Sequence, residues 1–112
     1  MTIAIGEQAL ADDVEARHKT QTDQTASRAI DGTVYTNTTG FSMLVAITYS
    51  GAGGGSSIEV KTDANANPVM VVGKASSAGL LSTITFEVLK GNKYKATDAG
   101  GGVKIAWIEW TL

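Results

Sequence analysis

From Gly32 to Leu112, apolar side chains recur at every second position, in short runs separated by clusters of Gly, Asn, Asp and Ser. A period of two belongs to strands with one face on a core and the other in water, so this part of the chain reads as sheet rather than helix. Strands are expected near Val34–Asn37, Ser42–Tyr49, Ser57–Thr62, Val69–Gly73, Leu80–Leu89, Lys93–Thr97 and Val103–Thr111. Short strands at this regular spacing, joined by turn residues, predict a mainly β domain, an antiparallel β-sandwich or jelly roll.

The alternation assigns faces. Met43, Val45, Ile47 and Tyr49 share one; Ile58, Val60 and Thr62 share another; Ile84, Phe86 and Val88 a third. Glu59, Lys61, Thr83, Thr85 and Glu87 then point to water. Two strands break the pattern. The first carries Leu44 and Ala46 on its second face. In the last, Val103, Ile105 and Trp107 fall on one face, and Ala106, Ile108 and Trp110 on the other. A strand apolar on both faces must be covered twice. The second cover is read as another subunit meeting Leu44, Ile108 and Trp110, or else as the N-terminal segment or a loop of the same chain.

Residues 7 to 30 differ from the rest of the chain. Good helix formers (Glu7 to Ala11, Glu15 to Arg17, Lys19) precede a tract of Thr, Gln, Asp and Ser. Leu10, Val14, Arg17 and Gln21 stand at helical spacing, but only Leu10 and Val14 are aliphatic, a stripe too thin for an isolated helix. The chain thus divides into an N-terminal helical stem or arm, residues 1–31, and a β-sandwich head, residues 32–112. The short helix either packs loosely on its own domain or frays. In the other reading Leu10 and Val14 meet symmetry mates, and Gln21, Thr25 and Arg28 continue a polar seam.

Thirteen Gly and one Pro in 112 residues suit a sheet protein with tight turns. A net charge of −2 argues against binding a nucleic-acid backbone, which needs clustered Lys and Arg. No cysteine is present, which removes disulfides and thiolate metal sites and favours a chain made in a reducing compartment. No apolar run approaches the roughly 20 residues that span a bilayer, and Met1 to Gly6 is not expected to act as a signal peptide.

Motifs of catalysis are weak. Gly51-Ala52-Gly53-Gly54-Gly55-Ser56 lacks the Lys and the following helix of a phosphate loop. Glu15-Ala16-Arg17-His18 has a metal-ligand spacing, but in one copy and with no second His, so no metal or cofactor is expected. There is no Gly-x-Ser-x-Gly elbow. Glu59, Asp63, Glu87, Asp98 and Glu109 read as a solvated sheet surface, and the chain is not expected to be an enzyme. Asn37-Thr38-Thr39 has the form of a glycosylation sequon and is read as turn chemistry, with Gly40 entering the left-handed region.

Tyr35 with Asn37-Thr38-Thr39-Gly40, the strand from Met43, the expected Gly-Asn hairpin Gly91-Asn92 followed by Tyr94, and the terminal Ile105-Ala106-Trp107-Ile108-Glu109-Trp110 together resemble the C-terminal head domains of bacteriophage and prophage tail-fibre or tail-associated proteins. The resemblance implies a homotrimer in the virion tail, assembled in the bacterial cytoplasm among other tail proteins, that binds host surface glycans or serves as a structural cap. No long shaft or attachment domain is expected within these 112 residues, where the family has both. The alternative is a small β-sandwich carbohydrate-binding module with no place in a virion.

For a glycan site the sequence offers two rings at strand ends, Tyr49 and Tyr94, and the loop groups Asn65, Asn67, Asn92 and Asp98. Sugars present C–H faces that stack on rings and hydroxyls that need partners. Both tyrosines also fit as core or rim residues with satisfied hydroxyls.

Overall fold

The computed structural model describes residues 20–51, 56–77 and 81–111. They form two four-stranded antiparallel sheets packed face to face. In chain order the strands are β1 (Thr20–Asp23), β2 (Tyr35–Thr36), β3 (Met43–Ser50), β4 (Ser56–Asp63), β5 (Val71–Ser77), β6 (Leu81–Val88), β7 (Lys93–Ala99) and β8 (Val103–Thr111). One sheet has the order β1-β8-β3-β6 and the other β2-β7-β4-β5. Among the described strands only the β4–β5 connection stays within a sheet; the other connections cross between sheets, which is the winding of a jelly roll.

The inward residues are those the alternation selects. Met43, Val45, Ile47 and Tyr49 of β3, Ile84, Phe86 and Val88 of β6, and Trp107 of β8 face Ile58 and Val60 of β4 and Tyr94 and Ala96 of β7. Trp107 is the largest of the fully buried side chains. The turn before β7 is built as Gly91 demands: Asn92 N–H donates to Leu89 O at 3.0 Å, and Gly91, with φ of 78°, takes the third position of a type II turn. It carries the chain from one sheet to the other and is not a hairpin.

The segment expected to continue a helix does not do so where it is described. Thr20–Asp23 is a strand, paired with β8 through Thr20↔Thr111, Gln21↔Trp110, Thr22↔Glu109 and Asp23↔Ile108. Gln24 N–H extends the contact to Trp107 O at 2.8 Å, and Trp107 N–H donates to Thr25 Oγ1 at 3.0 Å. Gln21, Thr25 and Arg28 therefore sit on the sandwich, not on a polar helical seam. Free backbone groups along β8 reward a partner strand more than a sparse apolar stripe rewards a helix. Leu10, Val14 and His18 lie outside the described residues.

The last strand also departs from simple alternation. Its pairing with β3 shifts register between Thr48 and Tyr49, so Lys104 stands opposite Tyr49 and Val103 opposite Ser50. This bulge takes Val103 and Ile105 off the Trp107 face, and both are exposed. On the outer face, Leu44 is paired with Trp110 and Ala46 with Ile108, all four half-buried. Trp110 Nε1–H donates to Gln21 Oε1 at 3.0 Å, so part of the cover expected from a second subunit comes from β1 of the same chain.

Candidate functional site

Glu109 lies on β8 two residues beyond Trp107, so the strand period turns both side chains inward. It is 3% exposed, which corrects its reading as a solvated surface acid. A carboxylate in that position is costly unless donors surround it. Here they come from three elements. Tyr94 Oη–H on β7 donates to Oε2 at 2.8 Å, Trp107 Nε1–H at 3.0 Å, and Arg28 Nε–H from the β1–β2 connection at 3.2 Å. Arg28 Nη2 reaches the other oxygen, Oε1, at 3.4 Å.

The connection that delivers Arg28 is itself fixed. The Arg28 guanidinium carbon lies 4.7 Å from the centroid of the Tyr35 ring, within the range of a cation–π contact. Tyr35 Oη accepts from Ala29 N–H at 2.7 Å, and Lys104 Nζ donates to Arg28 O. Tyr35, Tyr94 and Trp107 then form a ring cluster with centroid separations of 5.8, 5.8 and 6.3 Å. These are the tilted and edge-on spacings that aromatic pairs favour. Burial first, and then the Glu109 carboxylate, raises the Tyr94 phenol far above its ordinary value, so Tyr94 remains a donor.

Arg28, Tyr94 and Glu109 border a cleft of about 240 Å³ at this end of the sandwich. Thr22 and Thr111 line it from the β1–β8 side, and Thr36, Asn37, Thr38 and Thr39 from β2 and the loop after it. That loop is held by Asn37. Its Nδ2 donates to Phe41 O at 2.8 Å and Val88 O at 3.0 Å, and its Oδ1 accepts from Thr39 N–H at 3.0 Å and Thr39 Oγ1–H at 2.7 Å. The sequon is thus turn chemistry with a buried amide. Gly40, with φ of 86°, supplies the left-handed residue, and Phe41 leaves the loop 56% exposed.

Of the rings proposed from sequence, neither shows a face to solvent. Tyr49 is wholly buried, and Gly102 packs against its ring so closely that a Cβ there would overlap it. Tyr94 does border the cleft, as a buried donor to Glu109. The remaining candidates lie elsewhere. Asn65 and Asn67 are exposed on the β4–β5 connection, where Asn67 Oδ1 accepts from Lys95 Nζ at 2.7 Å. Asn92 is in the turn before β7, and Asp98 is in β7 with Oδ1 buried and, among the described residues, without a hydrogen-bond partner. The structure does not bring these four to the cleft.

Sequence reasoning missed Arg28, Glu109 and the threonines. One signal was present: a single acid on the inward face of an otherwise apolar strand requires a buried cation or several donors. Among the described residues no three His, Cys, Asp or Glu gather as metal ligands, and no helix is long and apolar enough to cross a membrane.

No family model matches the chain, and no curated protein matches it. Solved structures give loose likenesses. The C-terminal CBM6 of LamC, a marine laminarinase from Zobellia galactanivorans, is 17% identical over 73% of this chain and 74% of its own, with a TM-score of 0.42. A carbohydrate-binding module of Cellvibrio mixtus lichenase 5A, solved with cellotriose, is 18% identical over 87% and 92%, with a TM-score of 0.37. A Bacillus endospore-appendage pilus protein is 15% identical over 83% and 82%, with a TM-score of 0.39. None of the three is described as a tail-fibre head, and likenesses this loose reach no further than the outline of a β-sandwich.

Proposed function

We propose that this chain is a non-catalytic, glycan-binding β-sandwich that takes its ligand in the cleft beside Arg28 and Glu109. The cleft itself carries the reading: about 240 Å³, walled by threonine hydroxyls around an ion pair, with Phe41 exposed on the loop that forms one wall. The volume falls below the roughly 300–1,000 Å³ of drug-sized sites and suits one sugar ring. Hydroxyls that both donate and accept match a polyol, and the same loop carries an exposed ring, Phe41, of the type that stacks on a sugar. Among the described residues Glu109 is the one carboxylate bordering the cleft, and its Oε2 already accepts three hydrogen bonds, which fits an acceptor held in place rather than a general base.

A glycan array probed with the whole chain tests this, with Thr38→Trp as a variant that fills the cleft. Binding to array glycans that Thr38→Trp abolishes, with melting unchanged, is the expected result. Binding that survives the filled cleft, or no binding at all, overturns it.

One observation favours a second reading. Leu44, Ala46, Ile108 and Trp110 form an apolar strip on the outer face of a sheet, which suits self-association as in a trimeric tail-fibre-like head. Light scattering decides: three times the chain mass supports the trimer, and one chain mass at all concentrations removes it.

A further inference from the structure

The two oxygens of Glu109 are unequally used. Oε2 takes three donors at 2.8, 3.0 and 3.2 Å, whereas among the described residues Oε1 receives only the long 3.4 Å contact from Arg28 Nη2. Arg28 is unequally used as well. Its Nε–H is committed to Glu109 and the guanidinium also acts on the Tyr94 phenol, while among the described residues Nη1 makes only a 3.5 Å contact with Ser27 O. A guanidinium has five N–H donors and no acceptor, and a carboxylate only accepts. Both side chains line the cleft, so its wall offers a guanidinium with N–H donors to spare and a carboxylate oxygen with acceptor capacity to spare, of opposite charge.

We propose that the cleft selects neutral sugars through two adjacent hydroxyls, one accepting from the Arg28 guanidinium and the other donating to Glu109 Oε1. This rests on the glycan reading above and adds the ligand class. An anionic ligand would meet the Glu109 carboxylate, and a cationic one the Arg28 guanidinium. A vicinal diol offers acceptor and donor at the spacing of neighbouring carbons and brings no charge. Thr22, Thr36 and Thr111 around the pair can each donate or accept, which suits the remaining ring hydroxyls.

The test takes a neutral glycan that binds on the array and measures its affinity, those of its monodeoxy analogues and that of its uronate counterpart by calorimetry with the whole chain. Removing either of two adjacent hydroxyls is expected to weaken binding about tenfold, and the uronate should bind more weakly than the neutral sugar. Arg28→Lys keeps the charge but loses the fork; it should weaken the parent glycan about tenfold while leaving the matching deoxy analogue almost unchanged. Circular dichroism of the buried Trp107 checks that this variant remains folded, and Glu109→Gln, which keeps the side-chain shape, provides the partner arm of the cycle. If no array glycan binds, the glycan reading itself falls, and this inference with it. If glycans bind but the uronate is preferred, or the deoxy penalties are the same in Arg28→Lys, the reading stands and the diol assignment is overturned. Binding of N-acetylglycinamide, which carries an amide donor and acceptor but no diol, at equal strength would also overturn it.

Discussion

Arg28 and Glu109 stand 81 residues apart in sequence and meet as an ion pair of 3.2 Å that ties the β1–β2 connection to the last strand. The pair is asymmetric: the Arg28 side chain is 21% exposed and the Glu109 side chain 4%. Attraction inside the fold offsets the desolvation of the acid only because Tyr94 and Trp107 donate to the same oxygen. Arg28→Ala leaves Glu109 with two neutral donors in a buried site. The expected loss is about 3 kcal/mol, read by urea denaturation, with a melting point lower by roughly 10–20 °C. A loss below measurement error would mean that the pair is solvated and its geometry incidental.

A chain beginning at Asp31 loses β1, the Thr25 contact to Trp107 and Arg28 together. The period change at Gly32 suggests that such a chain keeps its sheet. The contacts argue otherwise, because β8 then becomes an exposed edge and Glu109 is left without its cation. The truncated chain is expected to be markedly less stable or to aggregate. A cooperative transition at the full-length midpoint would show that residues 20–30 are dispensable.

The legibility of each element depends on its residues. β3, β4 and β6 announce themselves because their inward residues alternate without interruption, as in Met43-x-Val45-x-Ile47-x-Tyr49. β1 does not. Its Thr-Gln-Thr-Asp holds no apolar residue, all four are exposed, and it is a strand because β8 has backbone groups to pair. The bulge at Thr48/Tyr49 is equally silent, so alternation places Val103 and Ile105 with Trp107 when they are exposed. The site was the least legible part. Arg28 and Glu109 meet only through the pairing of the first strand with the last, and no local pattern encodes that distance. Tyr49 and Tyr94 lie at strand ends in sequence, yet Gly102 of the β7–β8 connection closes over Tyr49, and Tyr94 turns inward to Glu109.

Asp63 sets the acid limit of the β4–β5 connection. Its Oδ2 accepts from Val69 N–H at 2.7 Å and Met70 N–H at 2.9 Å, and its Oδ1 from Asn65 N–H at 2.8 Å. The Val69 bond first, joined by those from Met70 and Asn65, holds the carboxyl below its ordinary 3.8. A depressed folded value means that the stabilisation is whole above pH 3.8 and is lost as pH falls through the lower folded value. Protection of the Asn65, Val69 and Met70 amides, measured against their unfolded exchange rates at the same pH, should therefore fall below about pH 3.8 before the core opens, and Asp63→Asn should remove that step. Exchange that tracks global unfolding at every pH would contradict it.

Gly102→Ala tests the packing over Tyr49. The glycine has an ordinary negative-φ backbone, so the cost comes from contact alone: a Cβ would overlap the ring of Tyr49, which is wholly buried and cannot swing into solvent. The expected loss is about 1–3 kcal/mol in chemical denaturation. Gly101→Ala, where a Cβ meets open space but φ is 82°, separates backbone strain from overlap.

The claim that the cleft is the binding site is tested most directly by a nitrogen-15 chemical-shift titration of the whole chain with a glycan that binds on the array. The Trp107 indole N–H donates to Glu109 Oε2 and should report any ligand that touches that carboxylate. The expected result is saturable movement of the Trp107 indole signal and of the amides of Arg28, Thr38, Thr39 and Glu109, with Ala46 and Ile108 on the outer sheet face unmoved. Movement confined to the outer face, or to the exposed Val71 and Val72 of β5, would place binding elsewhere and contradict the account.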